Sequence, residues 1–304
     1  MATLAHKPLI TGYGRTGPLA QAGGFDLILQ AFSGIIEATG EPHRDPVKPG
    51  VSLADTNAGI LAALGILSAY VHRLKTGQGQ HVGMSLLQAT MQQTYWLAAN
   101  YFSIGRETPR LGTAHSLIAP YQGFKATDGR MVIGAGNPKA WQGVCEVLGH
   151  REWTSDPRFD HPQRRVQNRL ELEELIETDL ARTTVAQWCA RFDEAGVPAG
   201  PVNSAGQALE HEQTRAIGMV IDVPDDNGNK TRGIGTPITL AGKAEANTTP
   251  APRLGEHSAT VLQEFGFSDE EIAELARSGV VHQAGSAGCP TTTDPIDARS
   301  SCSN

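Results

Sequence analysis

Apolar and polar residues alternate between two regimes along this 304-residue chain. Residues 57–75, NAGILAALGILSAYVHRLK, are apolar on nearly every face at helical spacing, which predicts one long helix buried on all sides. Its small residues, Ala58, Gly59, Ala62, Ala63, Gly65 and Ser68, allow close packing, and Thr76-Gly77 followed by Gly79 ends it. Residues 80–83 read as a short strand and 84–102 as a second buried helix. The preceding residues 1–56 mix short apolar runs with glycine-rich turns.

Beyond this helical region, residues 103–118, SIGRETPRLGTAHSLI, lose all periodicity and read as a linker or working loop. Strand-like PYQGF and MVIGAG then flank a turn at Asp128-Gly129. Residues 138–150 and 169–195 read as helices, the second ending at Gly196 before Val197-Pro198. Together these predict an α+β unit over about 119–200. Residues 217–240 hold a hairpin-like pair, MVIDVP and RGIGTPITL, joined by Asp225-Asp226-Asn227-Gly228. A last helix is predicted over 268–277, where Ser268 and Glu271 form a capping box. The tail 282–304, rich in Ser, Thr, Gly and Pro, is expected to be disordered.

Composition narrows the function. Lys plus Arg number 25 and Asp plus Glu 32, a net charge of −7 without any basic run, which argues against nucleic acid. No stretch reaches the roughly 18 uncharged apolar residues of a membrane span. The start, MATLAHKPLI, lacks the pattern of a signal peptide. Cys145, Cys189, Cys289 and Cys302 form no C-x-x-C pair and read as reduced thiols. There is no H-E-x-x-H, no other metal spacing and no G-x-S-x-G elbow, so neither a metal site nor a lipase-like triad is expected.

Several residues could carry chemistry. GYGRTG (12–17) satisfies the glycine spacing of a dinucleotide loop, but Pro18 follows and no helix continues to receive a phosphate, so a tight turn is preferred. VIGAGNPK (132–139) fails the same pattern at Lys139. Asp55, in SLADTNAG, has two readings. It is a helix N-cap, or a carboxylate made useful as a nucleophile by the macrodipole and free N–H groups of the helix start. Among ten histidines, His115 in the irregular LGTAHS loop is the functional candidate, and His72 and His81 read as structural. The arginine-rich segment DPRFDHPQRRVQNR (156–169) reads as a solvated, salt-bridged surface, with contact to an anionic ligand or a partner subunit as the other possibility.

In order along the chain stand TGYGRTGP (11–18), GGFDLILQAFSG (23–34), DPVKPGVSLADTNAG (45–59), HRLKTGQGQHV (72–82), LGTAHSLIAPYQGFKATDG (111–129), VIGAGNPKAW (132–141), DPRF (156–159), GVPAGPVN (196–203), LGEH (254–257) and SGVV (278–281). This ordered set resembles the class III CoA-transferases, the group of formyl-CoA transferase and the carnitine CoA-transferases. LGTAHSLIAPYQGFKATDG and SGVV look most like its succinyl-CoA-dependent dicarboxylate branch. The resemblance covers about residues 10–281.

The resemblance implies an α/β fold: a Rossmann-like large domain, residues 1–110 and 217–281, interrupted by a smaller inserted α+β domain within 111–216. It also implies an interlocked homodimer. It implies transfer of CoA between an acyl-CoA and a small carboxylic acid, with CoA as substrate and no permanently bound cofactor. In the family an aspartate attacks the thioester to give a mixed anhydride, and its motif maps onto Asp55. Asp26 maps onto a supporting acid, though a helix-cap reading is equally open. Gly23 and Gly24, with Gly112 and His115 in a loop over the intermediate, map onto the CoA-binding surface. The racemases of the same fold use a histidine where this chain has Phe25, which argues against proton exchange. The family's opening βαβ segment has no counterpart before residue 10, so the large domain is expected to be incomplete, with an exposed strand edge at 8–11. The alternative is an inactive family member that binds a partner. A cytoplasmic site of action is expected, with the mitochondrion as alternative.

Overall fold

The computed structural model describes residues 9–224, 230–240 and 249–284. It divides into two compact units, residues 1–202 and 203–304.

The first unit opens with β1 (Leu9–Thr11), then α1 (Asp26–Phe32) and α2 (Ile35–Ala38). The long helix α3 (Leu53–Thr76) follows, then β2 (Gly83–Ser85), α4 (Leu86–Gln93) and α5 (Tyr95–Ile104). β1 and β2 pair in parallel, Leu9 to Gly83 and Thr11 to Ser85, and β1 has no other partner among the described residues. The strand thus begins three residues later than the expected 80–83. Ser85 ends it by accepting the Gln88 N–H and capping α4. The single helix expected over 84–102 is divided at Thr94, which closes α4 and opens α5.

α3 corrects a second expectation. Only Ala54, Ala58 and Ala62 are buried. Leu64 is 60% exposed, Leu67 62% and Leu74 68%. A helix apolar all round is suited to burial on all sides, but within this chain only its alanine stripe finds a partner, chiefly α4 and α1. By length and composition α3 could also cross a membrane, a test that the core helix of a soluble protein passes equally. α5 is similarly bare, with Phe102 82% exposed.

The packed core lies further along. β3 (Tyr121–Ala126) and β4 (Gly129–Gly134) form the expected hairpin, and β5 (Ala199–Pro201) adds to β4, all antiparallel. α6 (Pro138–Leu148) starts where Asn137 accepts the Ala140 N–H and Pro138 occupies the first turn. α7 (Pro162–Gln167), α8 (Arg169–Leu180) and α9 (Val185–Glu194) complete the layer. The helix expected over 169–195 is therefore two, because Thr184 caps a fresh start at Val185. Phe124, Met131, Ile133, Phe159, Ile176 and Phe192 are buried together with Trp141 and Trp188. Cys145 lies among them, and burial pushes its thiol up to about 12, so it is an inert core residue.

The second unit holds α10 (Ala205–Glu210), α11 (Glu212–Ala216), an antiparallel pair β6 (Val220–Pro224) and β7 (Lys230–Ile234), α12 (Ser258–Glu264) and α13 (Asp269–Arg277). The hairpin pairs as expected; its turn at 225–228 lies outside the described residues, as does the tail from 285. At Ser268 both halves of the capping box form, and the Ser268 backbone N–H, with its hydroxyl, holds the Glu271 carboxyl below the ordinary carboxylate range.

Candidate active site

The N-terminus of α3 organises the site. Ser52 is the N-cap, yet its side chain makes no capping bond. Asp55 is the third helical residue, so the N-cap reading of Asp55 does not hold. The free N–H groups of this turn are met from another helix. Asp26 Oδ1 accepts the Ala54 N–H at 2.8 Å and the Asp55 N–H at 3.4 Å. Asp26 opens α1, where it stands in the first turn, and the cap it provides belongs to α3. A carboxylate there is favoured by both the unpaired donors and the macrodipole.

This leaves the Asp55 side chain exposed, in the first turn of a 24-residue helix, with no hydrogen bond or ion pair among the described residues. Within the single chain this carboxylate is open to water. Behind it, Asn57 ties α3 to α4 by donating to the Ala89 carbonyl at 2.6 Å.

One residue that the motifs did not single out joins this cluster. Gln30 is fully buried, and its Nε2 donates to Asp26 Oδ2 at 2.5 Å and to the Val51 carbonyl at 3.3 Å. The signal was present: Asp and Gln four residues apart in GGFDLILQAF face each other on a helix.

The other sequence candidates lie elsewhere or act differently. Gly24 has a structural reason to be glycine. A Cβ there would sit 2.9 Å from the Gly12 Cα, and one on Gly12 would meet Gly24 in turn. The first glycine of GYGRTG thus serves a backbone crossing, and residues 18–24 do not form a helix, in keeping with the turn reading. Gly23 faces open space. Gly112 has φ +59°, and a Cβ there would press on the Glu41 carboxylate. Its N–H donates to the Gly40 carbonyl at 2.8 Å, and Arg110, two residues earlier, is ion-paired with Glu37. The loop from 110 to 114 is therefore docked on residues 37–41.

His115 is held inside the same loop. Its N–H donates to the Tyr121 carbonyl, its Nδ1 accepts the Leu117 N–H at 3.1 Å, and its ring packs against Tyr121 and Trp96. With Nδ1 accepting, the neutral ring carries its proton on Nε2. No hydrogen bond links this loop to Asp26 or Asp55 among the described residues. A cleft of about 1240 Å³ is lined by Glu37, Glu41, Tyr101, Arg110, Thr113 and Arg169 among others, but neither by Asp26 nor by Asp55.

The arginine-rich segment is mostly the expected ion-paired surface, with Arg158 on Asp156 and Glu171, and Arg164 on Asp160. Arg165 departs from it. It is only 4% exposed, donates to the Ala119 and Phe159 carbonyls, and lies over the Trp141 ring. Among the described residues no group of His, Cys, Asp and Glu could hold a metal ion.

Comparison with known proteins identifies the family. The chain is 36% identical over 275 residues to the succinyl-CoA:glutarate CoA-transferase of Mus musculus, covering 90% of this chain and 63% of that one. It is 34% identical to the acetyl-CoA:oxalate CoA-transferase of Acetobacter aceti, covering 84% and 65%. A crystal structure of a CAIB/BAIF family protein from Brucella suis superposes with TM-score 0.73 at 36% identity, covering 84% of this chain and 67% of that one. The chain thus spans somewhat under two thirds of the length of these curated relatives. The model of CoA-transferase family III matches residues 9–258, and the chain, an α/β protein, belongs to that family.

Proposed function

We propose that the protein moves CoA between an acyl-CoA and a small carboxylic acid, with Asp55 as the nucleophile. The observation that carries this reading is the unengaged Asp55 carboxylate at a helix start whose N–H groups are already held by Asp26. A carboxylate without a competing partner keeps its lone pairs for attack on a carbonyl.

The steps balance. An Asp55 oxygen adds to the thioester carbonyl, and the CoA thiolate leaves, giving a mixed anhydride. The thiolate then attacks the Asp55 carbonyl, releasing the donor acid as carboxylate and leaving an aspartyl-CoA thioester. The acceptor carboxylate attacks that thioester and forms a second anhydride with release of CoA thiolate. Attack of the thiolate on the acceptor carbonyl gives the new acyl-CoA and restores Asp55. Each intermediate is hydrolysable, so water must be kept from Asp55. Asp55 is exposed in the single chain, and the apolar face of α3 beside it is bare. This supports a homodimer in which a second copy covers α3, with the loop at Gly112 and His115 and the surface at Gly23 and Gly24 as candidate contacts to CoA. Donor and acceptor acids of the dicarboxylate class are part of the proposal, supported by the names of relatives that act on succinyl-CoA and glutarate.

The test is transfer of CoA from succinyl-CoA to a panel of small mono- and dicarboxylates, followed by chromatography of the CoA esters. New esters formed by the wild type and lost in Asp55→Ala support the reading. Equal transfer by Asp55→Ala overturns it.

A further inference from the structure

Gln30 is fully buried, and its amide is used in only one direction. Both groups facing it, the Asp26 carboxylate and the Val51 carbonyl, are acceptors, so the NH2 must point at them. That leaves Oε1 buried without any donor among the described residues. An unmet buried acceptor costs stability, and an apolar side chain of the same length would avoid that cost. Stability alone does not account for an amide here. What the amide does is hold two things in register: Asp26, which caps α3 at Ala54 and Asp55, and Val51, two residues before α3 begins.

We propose that Gln30 is a positioning residue for CoA transfer, fixing Asp26 and through it the α3 turn that presents Asp55. The inference rests on the reading of Asp55 as nucleophile. It assigns Gln30 no contact with substrate. Its effect falls on the rate of attack, because a nucleophile displaced by about 1 Å loses on the order of 100-fold in rate.

Two variants test it, with wild type as control, by the rate of acyl transfer to Asp55 from succinyl-CoA, the KM for succinyl-CoA and the melting temperature. Gln30→Met removes both donors and the orphaned acceptor. It is expected to keep or raise the melting temperature, leave KM near wild type and lower kcat by about 10- to 100-fold. Gln30→Glu places a carboxyl against Asp26 and the Val51 carbonyl. That carboxyl donates only when protonated, and its like-charged neighbour raises its pKa. The kcat of Gln30→Glu relative to wild type should therefore rise as pH falls. Unchanged kcat in Gln30→Met, a loss confined to KM, or a pH-independent ratio for Gln30→Glu each overturn the inference and leave Asp55 as nucleophile intact. Failure of the wild type itself to acylate Asp55 overturns the transfer reading and this inference with it.

Discussion

Asp26 and Asp55 are joined side chain to backbone, not carboxylate to carboxylate: Asp26 Oδ1 accepts the N–H of Asp55 at 3.4 Å and that of its neighbour Ala54 at 2.8 Å. One carboxylate of the pair is spent on the helix start, and the other is left free. In the proposed reaction this gives the two acids at one helix end separate tasks.

Asp26→Ala should destabilise the protein by about 1 kcal/mol, the ordinary cost of losing an N-cap acceptor. Asp26→Asn keeps an acceptor oxygen and should lose less. Denaturant titration of both variants checks the order; equal stability of Asp26→Ala and wild type would show that the capping bonds contribute nothing.

Arg165→Met leaves the Ala119 and Phe159 carbonyls buried without their donor. At about 1–3 kcal/mol for each unmet group, a loss of at least about 2 kcal/mol is expected. Urea unfolding measures it. A loss below about 0.5 kcal/mol would mean the guanidinium is replaceable, as for a surface arginine.

Leu64→Glu and Leu67→Glu together place charges on positions that are 60% and 62% exposed in the single chain. Helix content should hold. If a second copy covers α3, native mass should fall from dimer to monomer. A wild type that is monomeric at micromolar concentration would contradict the dimer.

Low pH should weaken one surface ion pair in a defined window. The Arg158 guanidinium and its backbone N–H hold the Asp156 carboxyl down at about 2. A carboxyl whose folded pKa is depressed stabilises the fold above its unfolded pKa, about 4, and loses that contribution as pH falls towards 2. The melting temperature of Asp156→Asn should lie below wild type at pH 6 and approach it between pH 4 and 2. A gap that stays constant with pH would show that Asp156 acts through packing alone.

Local rules were legible in the sequence. Ser268 and Glu271 announce their capping box, the helix expected from residue 138 is α6, and the β3–β4 hairpin follows from its strand-like flanks and Asp128-Gly129. The long helix was legible, but its exposure was not: apolar periodicity says that α3 is suited to burial and is silent on what buries it. The break at Thr184 was hidden because Thr caps a helix yet also sits within one. The Asp26 cap was illegible for a different reason. It links residues 28 and 29 apart in the chain, and no local pattern encodes a cap delivered from another helix. Arg165 sat beside Arg158 and Arg164, which are exposed and ion-paired, and only packing separates it from them.

Incubation of the protein with succinyl-CoA and hydroxylamine, followed by peptide mass spectrometry, tests the nucleophile directly. An aspartyl anhydride or thioester is captured as a hydroxamate, which is expected on Asp55 and absent in Asp55→Ala. A hydroxamate on another carboxylate, or none in protein that turns over CoA esters, would contradict Asp55 as the nucleophile.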